Sequence, residues 1–447
     1  MAKAWLFLIV SVLGAPLLGL STASVIQSLG HDAELLRQLC FAALAFTILI
    51  PSSYVTLAYA LSRRREAFAR FFPSIVRGTL YSLVGLLALQ GLLTFVAAFE
   101  LAFVAHSNIP SLLWVVAGVV FWFAALLVLS EGGNLFEPQA ISVTGVHVNE
   151  RRMPALRVRV NRLAARLGTK PPSRIIMGLE PTCFVTSAAL KLRGYRELPA
   201  VPTLFMSTLA LRVLDDDELD AVLSHELGHF RGDDLAFSQR FAPAFMSLTR
   251  ALESVSLIDE DAPAWACIPR LPAVATLSGI MYVLYRAVSG ISRWRELEAD
   301  RAALETASAP ALVRALVKMQ TVSPYWESAR RENAAVVAQG KFRLNLAADY
   351  LQSVRNRLQV MPRQETLSAL SELRVAQPLD THPTMHERAA ALNVDAPSLI
   401  AGCLDNLRVL RDHQDALGRV ERELTWIEND FVRPPVIPRP PRWTQYQ

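Results

Sequence analysis

Hydrophobic residues are concentrated at the start of the chain, where four long runs carry no charged side chain. The runs cover residues 4–30, 38–62, 78–99 and 107–130. A helix needs about 20 mostly apolar residues to cross the hydrocarbon core of a bilayer. The pattern therefore predicts four transmembrane helices within residues 1–130. The first run also resembles a secretory signal, but its length and the three runs that follow favour an uncleaved anchor.

Charged residues between these runs predict the orientation of the chain. The loop between the second and third runs contains one glutamate, Glu66, and five arginines: Arg63, Arg64, Arg65, Arg70 and Arg77. Cytoplasmic loops are enriched in Lys and Arg, so this loop is expected in the cytoplasm, together with Lys3. Four spans then return the chain to the same side. We expect an integral protein of the inner or plasma membrane, with the region after residue 130 facing the cytoplasm.

After residue 130 the pattern becomes that of a globular α+β domain. Residues 141–148 alternate weakly, and residues 151–167 have the pattern of a basic amphipathic helix. Short strands are indicated near residues 174–177, 183–186 and 203–206. Helical patterns dominate after these strands, so one small sheet is expected to precede a mostly helical region. We assign residues 131–395 to this domain.

Two further apolar segments interrupt the predicted domain, at residues 241–257 and 271–285. Arg250 and Glu253 lie inside the first, which favours helices packed on the domain or on the membrane surface. A membrane-embedded hairpin is the alternative, so residues 241–290 are treated as possible membrane-associated helices. Residues 396–447 are expected to form an amphipathic helix followed by a proline-rich, extended and flexible tail.

Composition narrows the possible functions. The chain is 52% hydrophobic and has a mean hydropathy of +0.29, which agrees with membrane spans and a lipid bilayer as partner. The net charge of +5 is modest, and no basic-aromatic cluster points to nucleic acid. The four cysteines are scattered without a C-x-x-C pair, so neither a disulfide framework nor a cysteine zinc site is predicted.

Residues 225–229 read H-E-L-G-H, which fits the pattern H-E-x-x-H. On a helix, His225 and His229 lie on one face and can bind a single Zn²⁺, while Glu226 can accept a proton from a metal-bound water. Acidic residues 215–218 resemble an N-terminal cap, and the helix is expected to end near residues 231–232. The motif also occurs by chance, so a third protein ligand is required.

A second helix, around residues 292–304, offers that ligand. Glu296 and Glu298 are both candidates, and helical geometry alone does not choose between them. Asp300 lies one turn after Glu296, where it could orient a ligating histidine. The alternative is a solvated face on which these acids pair with three nearby arginines, Arg293, Arg295 and Arg301.

Three separated motifs together resemble peptidase family M48, whose members are integral-membrane zinc metallopeptidases. The motifs are H-E-L-G-H, then S-R-x-R-E-x-x-A-D at residues 292–300, then T-H-P at residues 381–383 with Arg388. The resemblance implies a gluzincin-like zincin fold with one Zn²⁺ per chain, held by His225, His229 and Glu296. Glu226 would be the general base, and Asp300 would support a ligand.

The resemblance also implies roles outside the metal ligands. His382 and Arg388 match residues that stabilise the developing oxyanion in the family. Residues 381–383 fit an ordinary helix start with Pro383 in its first position as well, and Arg388 could simply pair with an acid. The stretch with Cys183, Phe184 and Val185 matches an edge strand that binds the substrate backbone.

The combined prediction is a membrane-bound zinc endopeptidase that hydrolyses peptide or protein substrates, including membrane proteins. The alternative is a membrane scaffold or chaperone-like protein with a structural or vestigial zinc site, although a structural site does not need the base Glu226. A transporter is less favoured, because the predicted spans lack paired charges and Glu100 is the one acid well placed among them.

Overall fold

The computed structural model describes residues 16–17, 19–62, 65–105, 122, 140–193, 197–231, 249, 271–360, 383–395, 399 and 414–440. The chain divides into two compact units. The first comprises residues 1–137 and 240–289, and the second comprises residues 138–239 and 290–447. Mostly helical α+β structure with small sheets is found, as the sequence predicts.

The first unit contains a helix over residues 19–28 and two long helices, α1 (Glu34–Ser62) and α2 (Arg65–Ala105). Their packed core includes Ile26, Leu36 and Leu93. Within the described residues, one stretch is long and apolar enough to cross a membrane, Glu34–Tyr54, with a hydropathy of 1.7. The predicted spans at residues 38–62 and 78–99 lie in α1 and α2. The predicted span at residues 107–130 lies outside the described residues except for Trp122.

In its described residues, the second unit carries seven short strands and several helices. Its strands are β1 (Ile141–Val143), β2 (Val146–His147), β3 (Arg174–Gly178), β4 (Phe184–Thr186), β5 (Leu190–Leu192), β6 (Glu197–Leu198) and β7 (Thr203–Ser207). Its helices are α3 (Pro154–Arg166), α4 (Thr208–Val213), α5 (Asp216–Gly228), the end of α6 (Leu271–Ala303), α7 (Ala309–Val322), α8 (Trp326–Ala338), α9 (Leu346–Val360), α10 (Met385–Ala391) and α11 (Gln414–Val432).

The strands form two sheets rather than the single sheet that the sequence predicts. One has the order β1-β5-β6 and the other has the order β2-β3-β7-β4. In the second sheet β3 and β7 are parallel, while β4 runs antiparallel to β7 and pairs Val185 with Leu204. Among the described strands β4 therefore lies at a sheet edge. The predicted strands are confirmed, but the short strands β5 and β6 are additions.

Helix α5 is central and almost entirely buried. The Asp215 side chain caps it by accepting a hydrogen bond from the Glu218 backbone N–H at 2.9 Å, and the Glu218 side chain accepts one from the Asp215 backbone N–H at 3.0 Å. This capping box satisfies donors that the first helical turn would otherwise leave unpaired. Glu218 is also buried and accepts from Lys318 at 2.5 Å and Arg314 at 3.2 Å, which holds α7 against α5.

The main core joins α3, α5 and the second sheet to helices from the end of the chain. Leu219, Leu223 and Leu227 of α5 pack in the same cluster as Leu424 and Ile427 of α11. Arg212 makes a two-pronged ion pair with Glu421, a fully buried acid on α11. The amphipathic helix predicted near the C-terminus is thus part of this core. The ion pair adds to its attachment, because an arginine and a carboxylate that pair through two bonds stabilise each other strongly.

The apolar segment at residues 271–285 and the helix of the second motif form one helix, α6. Three local predictions are wrong. Helix α5 ends at Gly228, before the predicted residues 231–232, because i→i−3 bonds tighten its last turn. Helix α10 starts after an N-cap at Thr384, so Pro383 precedes it. The proline-rich tail turns back on α11 as far as residue 440, where Pro440 accepts a bond from Trp426 at 3.2 Å.

Candidate metal centre

Three side chains from two helices converge beside the buried end of α5. His225 and His229 come from the H-E-x-x-H motif, and their ring centroids lie 5.0 Å apart. Glu296 reaches them from α6, with one carboxylate oxygen 3.5 Å from His225 Nε2 and the other 3.6 Å from His229 Nε2. One ligand atom from each lies within 4.8 Å of the other two. Two imidazoles and one carboxylate form a donor set that suits Zn²⁺.

A glycine lets α5 and α6 approach closely enough for Glu296 to reach the histidines. A Cβ atom added at Gly228 would lie 3.1 Å from the Cβ of Ala302 and 3.3 Å from the Cα of Ala299. Both distances are tighter than ordinary van der Waals contacts. The glycine inside the first motif and the alanine of the second therefore determine the spacing of the two helices.

Asp300 fixes the orientation of the first histidine. Its Oδ1 lies 2.9 Å from His225 Nδ1, and the aspartate is fully buried. Holding Nδ1 in a hydrogen bond leaves Nε2, on the Glu296 side, available as a metal ligand. Asp300, one turn after Glu296, thus faces the candidate ligand His225 rather than solvent.

Arg388 of α10 completes this buried network. Its Nε donates to Asp300 Oδ2 at 2.8 Å, and its Nη2 donates to Asp300 Oδ1. Its Nη1 lies 3.8 Å from Glu296 Oε2. Arg388 therefore pairs with an acid, one of the two alternatives raised by the sequence, and does so at the metal centre. His382, the other predicted oxyanion residue, lies outside the described residues.

The electrostatics of the cluster suit a divalent cation. Burial opposes the charge of His225, but hydrogen bonds with Asp300 and Glu296 raise its pKa to about 9. Burial also raises the pKa of Glu226, although both histidines act against this shift. Three carboxylates, from Glu226, Glu296 and Asp300, face the Arg388 guanidinium and the His225 imidazole. Acids that favour a proton on His225 would also favour a metal ion in its place.

Comparison with known proteins identifies the domain that carries this cluster. A family model described as peptidase family M48 matches residues 194–395, which contain both histidines, Glu296 and Arg388. This part of the chain is therefore similar to peptidase family M48, a family of metallopeptidases. The resemblance inferred from the three motifs is confirmed.

Individual M48 relatives are distant. A "Protease HtpX homolog" from Archaeoglobus fulgidus is 24% identical over 270 residues, which cover 59% of this chain and 73% of the relative. Another, from Acidiphilium cryptum, is 27% identical over 238 residues, 51% of this chain and 70% of the relative. A third, from Methanopyrus kandleri, is 28% identical over 172 residues, 36% and 49% of the two chains. No solved structure matches the chain.

An open cleft of about 640 Å³ gives access to the candidate metal ligands. Glu226, both histidines and Glu296 line it, together with residues 181–185 on one side. Cys183 precedes β4, and burial together with the charge of Glu226 raises the pKa of its thiol to about 12. This cysteine is therefore neutral rather than a thiolate ligand.

An apolar wall of the cleft is formed by Leu312, Leu316 and Met319 of α7. Nothing in the sequence singles out these residues. Their i, i+4, i+7 spacing is the same signal that any buried helix face gives. Only the structure shows that they belong to the site, since the ion pairs of Glu218 with its two cationic partners hold α7 beside α5.

Replacing Asp300 with asparagine is expected to weaken zinc affinity by about 10- to 100-fold, the usual effect of removing a residue that orients a ligating histidine. The charge of Arg388 would also lose its buried partner, so the free energy of unfolding should fall by about 3–5 kcal/mol. Competition with a zinc-binding dye measures the affinity, and thermal unfolding measures the stability. The matched control is Glu305→Gln, which removes an acid whose side chain is 43% exposed. Equal zinc affinity in the Asp300 and Glu305 variants would contradict this assignment.

Proposed function

We propose that this protein is a membrane-bound zinc endopeptidase in which Glu226 is the general base. The observation that carries the proposal is the convergence of His225, His229 and Glu296 beside Glu226 in an open cleft. A site that only stabilised the fold would be closed by a fourth protein ligand. No fourth ligand joins the cluster among the described residues.

Zn²⁺ would be held by His225, His229 and Glu296, one ion per chain. When bound, the ion lowers the pKa of a water molecule to about 7 and polarises a carbonyl group. The donor set fits this ion because imidazole nitrogen and carboxylate oxygen are both common zinc ligands, and because Asp300 fixes the ring of His225.

Glu226 is placed to move the proton. It is 8% exposed and lies on the same buried helix end as the histidines. Burial raises the pKa of its carboxyl, so the group accepts a proton more readily than an exposed glutamate does. We assign to Glu226 the removal of a proton from the attacking water and its delivery to the leaving amine.

Arg388 and His382 are proposed to stabilise the negative charge that develops on the substrate carbonyl oxygen. Arg388 lines the cleft, and its two bonds to Asp300 prevent the guanidinium from moving away. A fixed cation in a site shielded from water stabilises such a charge by several kcal/mol.

The substrate is proposed to bind as an extended strand along β4. Cys183, Phe184 and Val185 line the cleft, and among the described strands β4 pairs with β7 alone. A peptide added to this edge would place its backbone beside the metal ligands. The apolar wall of α7 would then accept a hydrophobic side chain of the substrate.

The domain organisation proposed for the enzyme follows the sequence. Residues 1–130 would form four transmembrane helices, residues 131–395 the peptidase domain, with residues 241–290 associated with the membrane, and residues 396–447 the C-terminal helix and tail. The apolar stretch Glu34–Tyr54 supports a span, and the arginines at the start of α2 support a cytoplasmic catalytic domain. Protein substrates, including membrane proteins, are the expected partners.

Metal removal tests the proposal. We expect the full-length chain in detergent to cleave an unfolded test protein such as casein at internal bonds, which mass spectrometry of the products would reveal. A zinc chelator should abolish cleavage, and added zinc should restore it. Cleavage that persists after metal analysis shows no bound zinc would refute the proposal. Bound zinc without cleavage of any protein would favour a scaffold.

A further inference from the structure

A second charged region lies on α3 and the turns that flank it, away from the residues that line the catalytic cleft. Residues 150–174 contain one acid, Glu150, and eight basic residues: Arg151, Arg152, Arg157, Arg159, Arg162, Arg166, Lys170 and Arg174. The imbalance far exceeds that of the whole chain, whose net charge is +5. Such a patch creates a positive potential that attracts anions.

Part of this charge is used to hold the fold together. Arg159 bonds to Asp216 and Asp220 at the start of α5, Arg162 also pairs with Asp220 at 2.9 Å, and Arg152 pairs with Glu423 of α11. The remaining cations are less compensated. Arg157 lies 3.8 Å from Glu150, whose side chain is 77% exposed. Arg151, Arg166 and Lys170 make no ion pair with the described part of the chain and are exposed.

A recess of about 320 Å³ opens beside the first turn of α3. Polar groups in its lining are the side chains of His147, Asn149, Arg151, Arg157 and Ser173, together with Glu150. Burial lowers the pKa of His147, and the charges of Arg174, Arg152 and Arg157 lower it further. Arginine and hydroxyl donors around one recess match the acceptor oxygens of a phosphate group.

The outer face of α3 continues the patch and has an amphipathic composition. Its exposed positions are residues 154, 155, 158, 161, 162, 165 and 166, which follow one helical face and include no acid. Four of them are apolar and two are arginines. Val158 is 67% exposed, although the opposite face of α3 is buried in the core. Apolar and cationic side chains on one exposed face are typical of helices that lie at a membrane surface.

We propose that the recess and the outer face of α3 bind anionic phospholipid headgroups at the surface of a bilayer. Arg151 and Arg157 would bind the phosphodiester, and Val158 would contact the boundary between headgroups and acyl chains. A free phosphate would account for the recess but not for the exposed valine and alanines. This binding site goes beyond the proposed peptidase activity, and it can be tested without measuring proteolysis.

The test uses the full-length chain in a neutral detergent, titrated with fluorescent phosphatidylglycerol. The variant is Arg151→Gln combined with Arg166→Gln, two exposed arginines whose replacement removes no described ion pair. Each basic residue near an anionic surface contributes about a five-fold gain in affinity, so the double variant should bind roughly 25-fold more weakly. The matched control is Arg331→Gln, an exposed arginine on α8 that donates to a backbone carbonyl.

The outcomes distinguish headgroup binding at α3 from lipid bound elsewhere and from binding of a free anion. We expect the Arg331 variant to bind like the wild type, and phosphatidylcholine to compete poorly. Equal affinity in the wild type and the double variant would overturn the proposal, because lipid bound only to the apolar helices is insensitive to these arginines. Displacement by inorganic phosphate at the concentration at which unlabelled phosphatidylglycerol competes would also overturn it, since the site would then bind free anions.

Discussion

Replacing Glu226 with glutamine is expected to reduce the cleavage rate by about 10²- to 10⁴-fold while leaving the bound zinc at one ion per chain. The amide has nearly the shape of the carboxylate but cannot accept the proton of water. The proposed metal ligands His225, His229 and Glu296 are unchanged, so metal binding should persist. Steady-state cleavage of an unfolded protein and metal analysis of the same preparation measure the two quantities.

Stability supplies the control for this variant. The Glu226 side chain is buried, and its charged form carries a desolvation cost that raises its pKa. A neutral glutamine relieves that cost, so the variant should unfold at or above the wild-type temperature. Loss of zinc or of folding would mean that Glu226 maintains the site. Undiminished cleavage would show that another group takes the proton, and the proposed mechanism would be wrong.

The strongest sequence predictions came from features that depend on a single helix. The acids at residues 215–218 and the four-residue spacing of His225 and His229 are local, and α5 bears out both the cap and the shared face. The sheet of β2, β3, β7 and β4 was partly predictable because its signal is also local: β3 and β7 each contain a continuous apolar run. Strands β5 and β6 have three and two residues, too few for a periodic pattern to stand out.

Features that depend on two distant segments could not be predicted from pattern alone. Arg388 and Asp300 are 88 residues apart, and their pairing follows from how α10 and α6 pack. The choice between Glu296 and Glu298 depends on the angle at which α6 meets α5, and Gly228 fixes their close approach. The C-terminal helix looked like a separate amphipathic element because Glu421 gives no sign in the sequence of its buried partner Arg212.

The same geometry predicts different effects for two glutamates on α6. Replacing Glu296 with alanine is expected to remove zinc binding at submicromolar free zinc and to abolish cleavage, because only the two histidines would then be left as ligands. Replacing Glu298 with alanine should leave both properties near the wild type. Glu298 pairs with Arg301 on the helix surface, and its side chain is 40% exposed, whereas that of Glu296 is 14% exposed and faces the histidines.

Thermal unfolding with and without added zinc distinguishes loss of a ligand from loss of the fold. A ligand at about 100 times its dissociation constant stabilises the folded state by about 2.7 kcal/mol, so zinc should raise the unfolding temperature of the wild type and of Glu298→Ala. Glu296→Ala should lose this zinc-dependent rise. Without zinc this variant loses the contact of Glu296 with the His225 imidazole, so the zinc-dependent rise, and not the absolute unfolding temperature, reports the loss of a ligand. A zinc-dependent rise that survives in Glu296→Ala but disappears in Glu298→Ala would assign the third ligand to Glu298.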